Sequence, residues 1–174
     1  MGANTTLLKT QYWIGFITYT ILALLYANYL RTNMIFNINK IIPITGFVLL
    51  SIYSIRNALY VNNISNDPKT NTNTKTKYID YINNIGLGLL ALYFCLIFGK
   101  SNHFFYICAP IGYMFLASKQ TIGLYPLIVF YSISIGYHIF DFANTDYLVM
   151  MTKILMLIYF GIYRYIEIQK NNYY

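Results

Sequence analysis

The chain has 174 residues, of which 57% are hydrophobic and only 10% are charged, and its formal net charge is +7. Soluble domains usually carry about a quarter of charged residues, so the composition excludes an ordinary water-soluble domain and indicates a lipid surrounding. Two cysteines exclude a disulfide scaffold and a zinc ribbon. No basic patch with interleaved aromatic residues points to nucleic-acid binding, and the basic excess is typical of a surface that faces anionic lipid.

The hydrophobic stretches predict an all-α fold, a polytopic transmembrane helical bundle of about six spans. A helix needs about 20 predominantly apolar residues to cross ~30 Å of hydrocarbon. The predicted spans are residues 11–30, 41–61, 78–99, 103–118, 121–142 and 147–168. Short connections make the last four spans antiparallel neighbours. Residues 1–174 therefore form one integral membrane domain with no separate soluble domain.

The hydrophilic segment 62–77, NNISNDPKTNTNTKTK, has no apolar period and predicts a polar loop. With six spans, both termini lie on the same side as this loop. That side carries eight basic residues: Lys9, Arg56, Lys69, Lys75, Lys77, Lys119, Arg164 and Lys170. The other side carries four: Arg31, Lys40, Lys100 and Lys153. The positive-inside rule then places the termini in the cytoplasm or the matrix.

The fifth span has two distinctive faces at 100° per residue. A polar stripe contains Tyr131, Ser134, His138 and Asp141, and Ser132 with Gly136 lies roughly opposite it. The small pair has the small-xxx-small spacing that lets a second helix approach closely. We therefore expect this helix in the middle of the bundle, with protein neighbours on both faces.

Three polar residues near one end of the predicted bundle are the candidates for chemistry. His103 and His138 lie at a shared depth, and neutral imidazoles on facing helices are good axial ligands for a b-type haem. The alternative is that each histidine marks an interface, with His138 hydrogen-bonded to Asp141. Lys153 lies inside the sixth span, where ionisable groups are functional candidates by default. We expect it to be partner-bound or snorkelling, with Asp141 and Asp146 as candidate partners.

Other candidate sites are weaker. Cys95 and Cys108 flank the 99–102 connection symmetrically, so they either approach disulfide range or serve as small packing residues, which is the preferred interpretation. No Gly-rich phosphate loop, HExxH, GxSxG or CxxC motif occurs. We therefore expect no catalytic residue, no metal site and no cofactor of its own, but bound phospholipid such as cardiolipin.

The chain contains twenty tyrosines and twelve phenylalanines, more than two interfacial aromatic belts require. Tyrosines such as Tyr12, Tyr19 and Tyr53 fall inside the predicted spans, where their hydroxyl groups need acceptors. Asn83 and Asn84 raise the same demand. This pattern favours a chain that is surrounded by other membrane subunits and by lipid.

Heavy use of Ile, Asn, Tyr, Phe and Lys gives stretches such as NMIFNINKII, YIDYINNI and FGIYRYIEIQKNNYY. In this composition the chain resembles the mitochondrion-encoded inner-membrane proteins of ciliates, which implies a subunit of a large respiratory complex or of ATP synthase. Residues 161–168, GIYRYIEI, also resemble the last helix of the sixth membrane subunit of NADH dehydrogenase.

These observations lead to one expected function and two alternatives. We expect a structural, accessory transmembrane subunit of a mitochondrial respiratory-chain complex, with cytochrome c oxidase ahead of complex I. It would lie in the inner membrane with its termini and the 62–77 loop on the matrix side, and its partners would be other membrane subunits and lipids. The alternatives are a b-type haem electron-transfer subunit and a small transporter or lipid-handling protein whose cavity is lined by the polar stripe.

Overall fold

The computed structural model describes residues 3–33, 38–66, 75–99, 103–140 and 147–172, and all regular structure in these ranges is helical. The all-α prediction is confirmed. Two 3₁₀ turns, Phe104–Ile107 and Thr121–Gly123, run directly into the helices that follow them. The helices are α1 (Ala3–Asn33), α2 (Ile38–Asn66), α3 (Lys75–Phe98), α4 (Cys108–Ala117), α5 (Leu124–Phe140) and α6 (Tyr147–Asn172).

Four segments of the described chain are long and apolar enough to cross a membrane, which confirms a membrane protein with transmembrane helices. They are Ile41–Val61, Tyr78–Phe98, Thr121–Phe140 and Val149–Gln169. Helix α1 has 31 residues, but Lys, Gln, Thr and Asn side chains interrupt its apolar sequence and it is not one of the four. The predicted fourth span corresponds to Phe104–Ala117, which extends only about 23 Å at the usual helical rises.

The loop predicted at 62–77 is shorter than the sequence pattern indicates. Helix α2 continues to Asn66 and α3 begins at Lys75, and residues 67–74 lie outside the described residues. Both helices extend beyond their apolar segments. The backbone hydrogen bonds of a helix are made within the helix, so it can continue through polar residues into water.

Consecutive helices are antiparallel, and α1 closes the bundle against α6. On the α1–α2 pair, Tyr12 contacts Tyr53 whereas Tyr26 contacts Phe47, so the two helices run in opposite directions. Gln11 of α1 and Tyr163 of α6 line the same cavity. The beginning of α1 and the end of α6 therefore share one end of the bundle, the terminal end, and we name the other the opposite end.

The core is aromatic and centres on Phe94 of α3. Its ring stacks on Tyr113 at 5.6 Å between centroids and meets Phe130 edge-on at 5.1 Å. The fully buried Tyr113 and the buried Tyr131 join their hydroxyl oxygens at 2.7 Å. This hydroxyl pair links α4 to α5 and satisfies two polar groups that would otherwise be costly to bury.

Glycines allow two pairs of helices to approach backbone to backbone. A Cβ added at Gly46 of α2 would lie 3.2 Å from the carbonyl oxygen of Gly86 of α3, and the reverse substitution meets the Gly46 carbonyl at the same distance. A Cβ added at Gly112 of α4 would lie 2.8 Å from the carbonyl oxygen of Gly123. Such contacts between small residues are the usual means of close helix packing in membranes.

Helix α5 is not the middle of the bundle, so that prediction is wrong for the described chain. Its inner face packs against α4 and α6, with Leu127, Phe130 and Tyr131 buried. On the outer face Ser132 is exposed, and a Cβ added at Gly136 would meet no atom of the described residues within 4 Å. The small-residue pattern identified a helix face, but the pattern alone does not say which helix, if any, covers that face.

Candidate functional site

Two regions of the bundle combine polar side chains with a cavity. One lies at the opposite end and includes the predicted residues His138 and Lys153. The other lies at the terminal end, where four of the six helices contribute polar or aromatic side chains.

At the opposite end, Lys153 Nζ lies 2.6 Å from His138 Nε2. Helices α5 and α6 are antiparallel, which brings these two residues together across the pair. Which of the two groups donates depends on the tautomer of the imidazole. The structure thus gives His138 as a partner of Lys153. Asp141 and Asp146 lie outside the described residues.

His103 is exposed at the start of the first 3₁₀ turn. Its ring lies 4.7 Å from that of Tyr137 on α5 and 5.7 Å from that of Phe105. His103 and His138 thus share one end of the bundle, as the sequence predicts. His103 contacts the face of α5 that carries Tyr137. His138 belongs to α5 itself and projects about 100° away from Tyr137 around the helix. Ligation of a haem by both histidines stays a prediction.

The polar stripe of α5 is used in packing rather than left open. Tyr131 pairs with Tyr113, and Ser134 is buried. A cavity of about 100 Å³ lies beside them and is lined in part by Tyr93, Tyr106, Tyr131, Thr152 and Lys153. This volume is below the usual range for a ligand site. The stripe therefore holds α4, α5 and α6 together.

The two cysteines are free thiols. Cys95 is exposed on α3, and Cys108, at the start of α4, is half-buried. The structure therefore contains no disulfide between them, in agreement with their preferred interpretation as packing residues. Asn84 on α3 is a different case, since its Oδ1 is buried without a hydrogen-bond partner among the described residues.

The larger cavity, at the terminal end, has a volume of about 300 Å³. Ring contacts join lining residues in pairs between helices: Tyr12 with Tyr53 at 6.0 Å between centroids, and Tyr19 with Tyr159 at 5.0 Å. Gly15 provides room at its wall, because a Cβ there would lie 3.1 Å from Ser54 Oγ and 3.2 Å from Tyr159 Oη. Sequence reasoning did not identify this site, although the excess of tyrosines within the spans was a signal for it.

A second cavity of about 220 Å³ adjoins the first and shares Tyr53, Asn83 and Tyr163 with it. Asp80 and Lys119 line its outer part and form an ion pair with 2.5 Å between Nζ and Oδ2. Lys119 belongs to the turn between α4 and α5 and has a φ of 61°, an uncommon value for a residue with a side chain. The two cavities together form a polar entrance at the terminal end of the bundle.

Comparison of the chain with protein-family models, with curated proteins and with solved structures finds no match. The function of this chain is therefore inferred from its residues and their geometry.

Proposed function

We propose that this chain is a structural, accessory transmembrane subunit of a mitochondrial respiratory-chain complex, with cytochrome c oxidase ahead of complex I. The observation that carries the proposal is the uncovered Ser132–Gly136 pair on α5. Elsewhere the chain packs its own helices through glycines, at Gly46 with Gly86 and at Gly112 with Gly123. A further small-residue face without a partner in the described chain is a docking face for a helix of another subunit.

A further feature supports a role inside a larger assembly. Large aromatic side chains are exposed at helix ends, among them Phe140, Phe104 and Tyr78. Subunit contacts and bound phospholipid such as cardiolipin would cover these side chains.

The mitochondrial part of the proposal rests on the resemblance of composition to ciliate mitochondrion-encoded proteins. The basic residues favour the matrix for the terminal end, because the positive-inside rule assigns the more basic loops to that side. In this role the chain supplies packing surface around a redox or proton-pumping core and holds no catalytic residue or cofactor itself.

Purification from its native membrane tests the proposal. Full-length tagged chain, extracted in a mild detergent, should co-migrate with a respiratory complex identified by mass spectrometry and by its haem spectrum. The double substitution Ser132→Leu and Gly136→Leu should release it, because two large side chains would block a close helix approach. Gly88→Leu is the matched control, since Gly88 on α3 also has open space around its Cβ position.

Recovery of the unaltered chain as a monodisperse monomer would refute the subunit assignment. Retention of the double variant in the complex would refute the docking face. Both variants should fold, because a Cβ added at Gly136 or Gly88 meets no described atom within 4 Å and Ser132 is exposed.

A small transporter or lipid-handling protein is the second candidate. The polar cavity of about 300 Å³ at the terminal end favours it, rather than the stripe from which it was predicted. In that case a ligand would enter the bundle beside the Asp80–Lys119 ion pair.

A further inference from the structure

The chemistry of the terminal-end cavity is unlike that of the rest of this basic chain. Its lining includes six aromatic side chains: Tyr12, Tyr19, Tyr53, Tyr159, Phe160 and Tyr163. Glu167 is the one charged residue in the lining, and no Lys, Arg or His side chain belongs to it. The chain as a whole has a net charge of +7, so a cavity whose one charged lining residue is acidic is distinctive.

Aromatic rings attract cations through the negative potential of their faces. In this cavity Tyr12 and Tyr53 meet at 79° and Tyr19 and Tyr159 at 65° between ring planes. Near-perpendicular pairs are the arrangement in which adjacent walls of an aromatic cage meet. Each ring of these pairs packs against its partner, at 6.0 Å and 5.0 Å between centroids, which restricts the movement of the rings.

Glu167 supplies the charge that a cation needs. It follows Tyr163 by one helical turn on α6, and within the described part of the chain no basic side chain lies within ion-pair distance of it. The other acidic residue nearby, Asp80, is already neutralised by Lys119 in the adjoining cavity. Among the described side chains, no cation therefore neutralises the Glu167 carboxylate in this cavity.

We propose that this cavity binds a small organic cation through a quaternary ammonium group. A volume of about 300 Å³ is at the small end of the range for ligand sites and accommodates a trimethylammonium head group. Metal ions such as Ca²⁺ require six or more oxygen ligands close together. The lining of this cavity offers a single carboxylate, that of Glu167. The group belongs either to a free amine that enters from water or to the head group of a choline lipid at the membrane surface.

This proposal is independent of the respiratory-complex assignment, and binding to the purified chain tests it. Equilibrium dialysis with radiolabelled choline in a maltoside detergent should show saturable binding that tetramethylammonium displaces. 3,3-Dimethyl-1-butanol, the uncharged isostere of choline, should not compete. Glu167→Gln, which preserves shape and removes the charge, should weaken choline binding by about tenfold or more.

A second pair of variants separates binding from folding. Tyr163→Phe retains the ring and should keep most of the affinity, whereas Tyr163→Leu should weaken choline binding several-fold. Circular dichroism checks that each variant is helical. The proposal is overturned if choline does not bind saturably and no choline lipid is retained, if the uncharged isostere competes equally, or if Glu167→Gln binds unchanged.

Nanodiscs distinguish the two sources of the cation. If a lipid head group occupies the cavity, phosphatidylcholine will co-purify with the unaltered chain but not with Glu167→Gln, and choline will bind less well in phosphatidylcholine than in phosphatidylglycerol discs. If the ligand is a free amine, choline will bind equally in both. Either result supports a site for quaternary ammonium groups and identifies its source.

Discussion

The contact between α4 and α5 at Gly112 predicts a large effect from a single methyl group. In Gly112→Ala the new Cβ would lie 2.5 Å from Leu127 Cγ and 2.8 Å from the Gly123 carbonyl oxygen, whereas carbon atoms pack best at about 3.5–4.0 Å. Neither neighbour can easily move, because Leu127 is fully buried and the carbonyl belongs to the backbone. Overpacking of this kind costs about 1–3 kcal/mol.

Gly88→Ala is the matched control, because its Cβ would meet no described atom within 4 Å. Alanine is favoured over glycine inside a helix by about 1 kcal/mol, so this variant should equal or exceed the stability of the unaltered chain. Unfolding in maltoside micelles with increasing dodecyl sulfate, followed by far-UV circular dichroism and by the fluorescence of Trp13, gives both free energies of unfolding. Equal stability of the two alanine variants would refute the proposed close approach of α4 and α5.

Two further substitutions test other contacts by the same assay. Tyr131→Phe leaves the Tyr113 hydroxyl group buried without its partner at 2.7 Å, so stability should fall by about 1–3 kcal/mol; adding Tyr113→Phe should recover part of that loss, and a larger loss in the double variant would contradict the pairing. Lys119→Ala removes an ion pair whose lysine side chain is 67% exposed, and exposed pairs contribute only about 0–1 kcal/mol; a loss well above this range would show that the pair supports the α4–α5 turn.

The helices and their order follow from the sequence because the length of an apolar stretch and the shortness of a connection act locally. Four of the predicted spans agree with apolar transmembrane helices of the structure, and consecutive helices are antiparallel as expected. The fourth predicted span, residues 103–118, agrees closely with Phe104–Ala117, which is apolar but shorter than the four helices that are long enough to cross a membrane.

Contacts between distant segments were the part that sequence reasoning missed. One interpretation paired His138 with Asp141, which lies outside the described residues, whereas the contact between His138 and Lys153 across the α5–α6 pair was not predicted. Likewise Ser132 and Gly136 satisfy a packing pattern on one helix, whereas the glycines that do touch, Gly112 and Gly123, come from two segments joined by a turn. Periodicity describes the face of a single helix, and the pairing of faces depends on the tertiary fold.

The terminal-end cavity is a stronger example of a feature that the periodicity of single helices does not predict. Its residues come from α1, α2, α3, the second 3₁₀ turn, α4, α5 and α6, so no short motif could reveal it. The abundance of tyrosine within the spans was the available signal, and it was interpreted as a sign of neighbouring subunits. Only the fold shows that several of these rings enclose a space inside the chain itself.

The short segment Phe104–Ala117 has a consequence for the membrane around the protein. At about 23 Å it falls roughly 7 Å short of the usual hydrocarbon thickness, while the helices beside it are long enough to cross. Lipid acyl chains on this flank must therefore compress, at a fraction of a kcal/mol for each ångström. The bilayer would be locally thinner on this flank of the protein. Membranes with a thin hydrocarbon core would accommodate the chain with the least deformation.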